Sequence, residues 1–241
     1  HPEKSEQEIA VLTKQVFRHS TANLTSSINT GFISDKRMAK IVTIKGQKNF
    51  ANLDPDKGAI LMVLHMGNWE LLGRIAQLFG TEKPISSMYR PLPNPLLDAH
   101  VRSKRERSGT KLFSRKRGLI DANKFLRKGG VLAILSDQHA GNAGIHLPLF
   151  GKETSITPLP ALLAQKYDCP IIPLVLSTDK PGRWTLESRP PFHLPPKDQA
   201  DKVEATKVIV EHLEDIMRKH SKDIFWIHDR WKIKHLFKNK P

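Results

Sequence analysis

Ala59 to Gly80, AILMVLHMGNWELLGRIAQLFG, reads as a buried strand, a tight polar turn and an amphipathic helix. Ala59 to Leu64 are unbroken apolar residues, the pattern of a strand covered on both faces. From Trp69 onward Leu71, Leu72, Ile75, Leu78 and Phe79 fall on one helical face, and Gly80 is placed to close it. A strand–turn–helix unit of this kind belongs to an α/β sheet, where ligands bind beyond the carboxyl ends of the strands. His65, Met66, Gly67 and Asn68 would sit there, so the His65 imidazole and the Glu70 carboxylate emerge at a mouth.

The same grammar repeats on both sides. Upstream, Ser5-Glu6-Gln7-Glu8 is a capping box, and Ile9, Leu12 and Val16 continue at helical spacing. Lys40 to Ile44 reads as a short strand and Asn52 to Gly58 as a turn-rich loop. Downstream, Pro84 to Tyr89 is a strand, and Asn94-Pro95 is a cap followed by proline at the first helical position. Between Arg102 and Arg117 there are eight Lys or Arg and one acid, Glu106, with Gly109 as a helix stop. Leu119 to Leu126 is helical and Val131 to Leu135 is wholly apolar. Ser136-Asp137-Gln138-His139 then follows at another strand's carboxyl end.

Ile145 to Gly151 suits a rim better than a central strand because proline interrupts it. Thr157-Pro158 opens a further helix, Pro170 to Ser177 is a buried strand, and Trp184 to Ser188 reads as an edge strand. Gln199 to His220 is a long helix. The tail from Ile224 to Pro241 interleaves Phe225, Trp226, Trp231 and Phe237 with basic residues.

With 241 residues, 39% hydrophobic and 26% charged, the chain has the balance of a globular protein; its succession of strands and helices is read as one α/β domain, a mixed sheet flanked by helices. Cys169 is the single cysteine, which excludes an internal disulfide and argues against a thiolate metal cluster. The formal charge of +15 favours an anionic partner: nucleic acid, an anionic membrane surface or an acidic protein. No run approaches the roughly 20 apolar residues needed to span a bilayer. The sequence begins at His1 without an initiator methionine, so an anchor upstream of residue 1 stays open.

A histidine at a strand end, with a carboxylate five residues on, can act as base and orienter. The carboxylate accepts from one ring nitrogen and leaves the other to take a proton from a hydroxyl. No protein nucleophile is then required; the hydroxyl belongs to the substrate, and the reaction is group transfer to an alcohol. Against this stands the plainer reading, in which Glu70 complements a helix dipole and His65 satisfies a turn. Metal binding ranks below acid–base work, because HxxxxE lacks the paired histidines of HExxH. No GxGxxG or GxxxxGK[ST] occurs, so no nucleotide cofactor is expected.

HMGNWELL resembles the HxGNWE form of the HX4(D/E) motif of the bacterial lipid A late acyltransferases, the lauroyl and myristoyl transferases of the lysophospholipid acyltransferase superfamily. Further blocks resemble the same family in the same order: YRPLPNPLLD from Tyr89, SDQHAG from Ser136, LPLFGKETSITP from Leu147 and IHDRWK from Ile227. Even HPEKSEQE is similar to the segment that follows the membrane anchor in these proteins. Asp229 departs from the pattern, standing where the family often has arginine.

The resemblance implies a glycerol-3-phosphate acyltransferase-like single domain over residues 1–241. It implies that His65 deprotonates an acceptor hydroxyl, that Glu70 orients it, and that an acyl thioester on acyl carrier protein or coenzyme A is the donor. Arg90 would lie near the donor carbonyl or an acceptor phosphate, and Asn94, Asp137, Gln138 and Arg230 match further family positions for substrate binding. Asn94 is equally a helix cap and Asp137 equally a loop brace. No metal, cofactor or nucleic acid is expected. The expected place is the cytoplasmic face of the bacterial inner membrane, with a glycolipid acceptor and an anionic surface as partners. A glycerolipid or mannoside-type acceptor is the nearest alternative, and a non-catalytic basic domain binding membrane or nucleic acid is the alternative from another class.

Overall fold

The computed structural model describes residues 1, 3–114 and 118–232. In chain order the strands are β1 (Val42–Lys45), β2 (Ala59–Val63), β3 (Ile85–Tyr89), β4 (Lys111–Ser114), β5 (Val131–Leu135), β6 (Ile145–Leu149), β7 (Lys152–Ile156), β8 (Ile171–Lys180) and β9 (Arg183–Ser188). All but β6 and β7 form a seven-stranded sheet ordered β1-β9-β8-β2-β5-β3-β4. The unbroken apolar runs β2, β5 and β8 take its middle, because a strand covered on both faces has no polar side to offer. β8 and β9 pair antiparallel and the other neighbours pair parallel, so the sheet is mixed, as the sequence suggests.

The flanking helices are α1 (Glu6–Thr30), α2 (Asp35–Ile41), α3 (Lys48–Ala51), α4 (Ile75–Phe79), α5 (Pro95–Glu106), α6 (Leu119–Arg127), α7 (Leu159–Tyr167) and α8 (Lys202–Lys219). Their starts follow the caps in the sequence. Ser5 and Glu8 complete the capping box of α1, Asn94 accepts from the amides of Leu96 and Leu97 ahead of α5, and Asp201 caps α8. One continuous core unites sheet and helices, with Leu61, Leu132, Ile172, Ile209 and Leu213 fully buried. Each such side chain contributes about 1.5–3 kcal/mol by leaving water.

Several elements differ from their sequence reading, among them Lys40 and Ile41, which end α2 before β1 starts at Val42. Trp184 to Ser188 is interior, because β1 pairs along its outer side with Val42 opposite Trp184. An unforeseen strand, β4, edges the sheet beside β3. The segment after His65 begins as a 3₁₀ turn, Trp69–Arg74, and becomes α-helical only at α4, which Gly80 closes at φ 62°. Ile145 to Gly151 stays out of the main sheet, as its proline suggests, and pairs as β6 with β7 in a hairpin. Within the basic run, Arg115 to Arg117 lie outside the described residues, as do residues 233–241 with Phe237.

Candidate active site

Strand register builds the site. β2 and β5 run parallel with Val63 opposite Leu135, so two residues further on His65 meets Asp137. Neighbouring strands lie about 4.8 Å apart, within reach of a short carboxylate. His65 Nδ1 stands 2.7 Å from Asp137 Oδ1, and the His65 backbone N–H donates to the same oxygen at 3.0 Å. On the other oxygen, Arg230 Nη2 donates to Asp137 Oδ2 at 2.6 Å, while Arg230 Nε donates to the Asp137 carbonyl at 2.9 Å. Arg230 Nη1 donates to the Phe225 carbonyl. Both partners of this ion pair are enclosed, at 1% and 0% side-chain exposure.

Burial alone would push the Asp137 carboxyl up, but the hydrogen bond and charge of His65 and the charge of Arg230 outweigh it, holding it down at about 2. The carboxylate is therefore ionised and can only accept. Nδ1 of His65 carries the proton of their bond, so in the neutral ring Nε2 keeps its lone pair. The His65 side chain keeps about a fifth of its surface open.

The turn that carries the histidine is tightly held. Gly67 adopts φ 53°, and a Cβ there would lie 2.4 Å from the Leu176 carbonyl, so only glycine fits. Gly67 N–H donates to the Asp223 carbonyl and Phe225 N–H to the His65 carbonyl, which pins the segment leading to Arg230 against the turn. Asn68, fully buried, donates to Thr30 Oγ1 and accepts from Ser27 of α1. Trp69 sets its ring edge against both His65 and Phe225, at 5.7 and 5.3 Å between centroids.

Glu70 stands elsewhere. Its carboxylate is bidentate on Arg105 of α5, at 2.8 Å to Nε and 2.6 Å to Nη2, and makes no hydrogen bond with His65. The sequence reading sets Glu70 on one of the ring nitrogens; in the structure the carboxylate on the ring is that of Asp137, at Nδ1. Asp137 and Arg230, expected among substrate-binding residues, are instead closed off beneath the histidine. Gln138 follows them half-buried, whereas Arg90 is exposed just past β3 and Asn94 serves as the α5 cap.

Two residues escape the sequence reading. Arg105 is hidden among the basic residues of its run. His228 Nε2 accepts from the His139 backbone N–H at 3.1 Å, so a proton on this ring sits on Nδ1. Burial, then the charges of Arg230 and Lys232, push the His228 pKa down and keep it neutral. Its place two residues before Arg230 in IHDRWK was the available signal. Among the described residues no three His, Cys, Asp or Glu side chains gather as a metal site. A cleft of about 600 Å³, lined by Phe50, Phe79, Lys83 and Gly129, opens at the amino ends of the strands, opposite the histidine.

A histidine held by a buried, ionised carboxylate stands at the carboxyl edge of a mixed α/β sheet, an arrangement suited to acid–base chemistry. Residues 1–233 match the family described as bacterial lipid A biosynthesis acyltransferase, and the chain belongs to that family. It is 29% identical to the lipid A biosynthesis lauroyltransferase of Escherichia coli K12 over 96% of this chain and 75% of that protein. It is also 26% identical to a lipid A biosynthesis acyltransferase of Haemophilus influenzae, over 96% of this chain and 73% of the relative.

Proposed function

We propose that this acyltransferase moves a fatty acyl group from an acyl thioester, carried on acyl carrier protein, to a hydroxyl of a lipid A precursor. His65 is the general base and Asp137 the carboxylate that orients it. The observation that supports this assignment is the 2.7 Å contact between His65 Nδ1 and Asp137 Oδ1, braced from behind by Arg230.

In this reaction Nε2 takes the proton of the acceptor hydroxyl as its oxygen bonds to the thioester carbonyl carbon. The carbon–sulfur bond then breaks, and the imidazolium returns the proton to the departing thiolate. Asp137 stabilises that imidazolium without being protonated itself. Glu70, paired with Arg105, holds α5 at the rim and so shapes the approach of substrate. The excess of 39 Lys and Arg over 24 Asp and Glu suits an acidic carrier and a phosphorylated acceptor.

The test is transfer of a labelled acyl group from acyl carrier protein to a lipid A precursor. His65→Ala and Asp137→Asn should each lose about 10²–10⁴-fold in rate while still folding. Glu70→Gln should lose less than Asp137→Asn. Equal or greater loss at Glu70 would return the orienting role to that residue, and full activity in both His65→Ala and Asp137→Asn would end the base reading altogether. A glycerolipid offered in parallel tests the acceptor class.

A further inference from the structure

α1 is inside-out. Over its 25 residues the buried positions are Ser20, Asn23 and Thr30, all polar. Asn23 bonds Thr178 and accepts from the Trp184 indole, His19 meets Asp223, and Thr30 holds Asn68 beside the catalytic turn. The apolar residues face outward instead. At 100° per residue Phe17, Leu24 and Ile28 fall within about 20° of one line along the helix. Phe17 is 62% and Ile28 74% exposed.

The stripe continues past the helix end. Phe32, 58% exposed, lies against α5, with its ring 6.2 Å from that of His100 and Lys104 Nζ 4.1 Å above it. One turn before His100, Leu96 is 82% exposed. A helix facing water on this side would put its polar residues there and its apolar ones inward. On α1 the flanking charges are cations: Lys14 and Arg18 are exposed and no acid occurs from Ile9 to Ser34, while Lys104 and Arg107 stand at the far end of the stripe.

We propose that this stripe, from Phe17 through Ile28 and Phe32 to Leu96, seats the protein on an anionic lipid bilayer. Apolar side chains enter the acyl boundary while the flanking lysines and arginines meet lipid phosphates. The buried face of the same helix holds Asn68, three residues from His65, so docking sets the catalytic mouth beside the lipid surface. The proposal extends the reading in which the acceptor is a lipid, but its test needs no turnover.

The 241-residue chain is sedimented with vesicles of phosphatidylcholine alone and with phosphatidylglycerol added. It should bind the anionic vesicles more tightly. Phe17→Ser/Ile28→Ser/Phe32→Ser, altered only at exposed positions and checked by an unchanged melting temperature, should bind at least about tenfold more weakly. Lys14→Gln/Arg18→Gln should weaken the preference for anionic vesicles, and His65→Ala should bind as the parent does. Unchanged binding by the triple variant would overturn the proposal, as would a parent chain that binds neither vesicle. So would a solution dimer that the triple variant makes monomeric, since a second copy would then cover the stripe.

Discussion

Replacing Arg230 by methionine removes the counter-charge of a buried carboxylate that, among the described residues, pairs with no other Lys or Arg. The aliphatic stem is kept, so the lost interactions are those of the guanidinium with Asp137 Oδ2, the Asp137 carbonyl and the Phe225 carbonyl. Water cannot take their place, because the Asp137 side chain has no exposed surface. Breaking one partner out of such a pair costs about 3–5 kcal/mol. For a chain of this size that lowers the melting temperature by about 6–20 °C.

The same change has a pH signature. Asp137 is held at about 2 against an ordinary 3.8, so the folded state binds this proton less readily than the unfolded state does. The resulting stabilisation, about 2 kcal/mol, is fully present above the unfolded value and disappears as pH falls from about 3.8 towards 2. Calorimetry of the parent, Arg230→Met, Asp137→Asn and the double variant, at neutral pH and through the acid range, reads both effects. The double variant should melt well above the sum of the two single losses, with a coupling of more than 1 kcal/mol on the order expected for contacting residues. An Arg230→Met chain melting within about 2 °C of the parent, a loss of under about 1 kcal/mol, would refute the buried-pair reasoning.

Gly67→Ala forces a Cβ into the Leu176 carbonyl at a positive φ; denaturant unfolding should show a loss of at least about 2 kcal/mol, and transfer activity should fall with it. Cys169 is buried and its thiol is pushed up to about 12, chiefly by burial and then by Asp168; iodoacetamide should leave the native protein unlabelled at pH 8 and label it fully once unfolded. Asn94→Ala removes the α5 cap and should cost about 1 kcal/mol in unfolding experiments, with the transfer rate much less affected than by Asp137→Asn.

How far the sequence could be read depended on the range of the forces involved. Caps and apolar runs are local, and Ser5, Asn94, Gly80 and the runs at β2, β5 and β8 announced their elements directly. Lys111 to Ser114 offered only Leu112 and Phe113 inside a basic run, too little apolar pattern to mark a strand. Trp184 to Ser188 looked like an edge because β1, the strand that covers it, is four residues long and more than a hundred positions away. The helix after His65 was misread at its start because Gly73 sits where a Cβ would lie 3.1 Å from the Arg105 backbone. That close approach of α5 accompanies a 3₁₀ first stretch in place of an α-helix.

The base and its orienter show the limit most sharply. Spacing along the chain nominates Glu70, because five residues is the distance sequence can measure. Spacing across the sheet selects Asp137, 72 residues away, and that depends on register alone. Both strands leave the sheet with one residue before the polar one: Val63-Leu64-His65 and Leu135-Ser136-Asp137. In register the two side chains face each other on the same side of the sheet. A slip of one residue would bring Ser136 or Gln138 opposite the imidazole and turn Asp137 to the other face, where Arg230 could not reach it. The apolar packing that fixes register in β2 and β5 is therefore also what aligns the imidazole, and core substitutions that loosen that pairing should impair transfer before they unfold the chain.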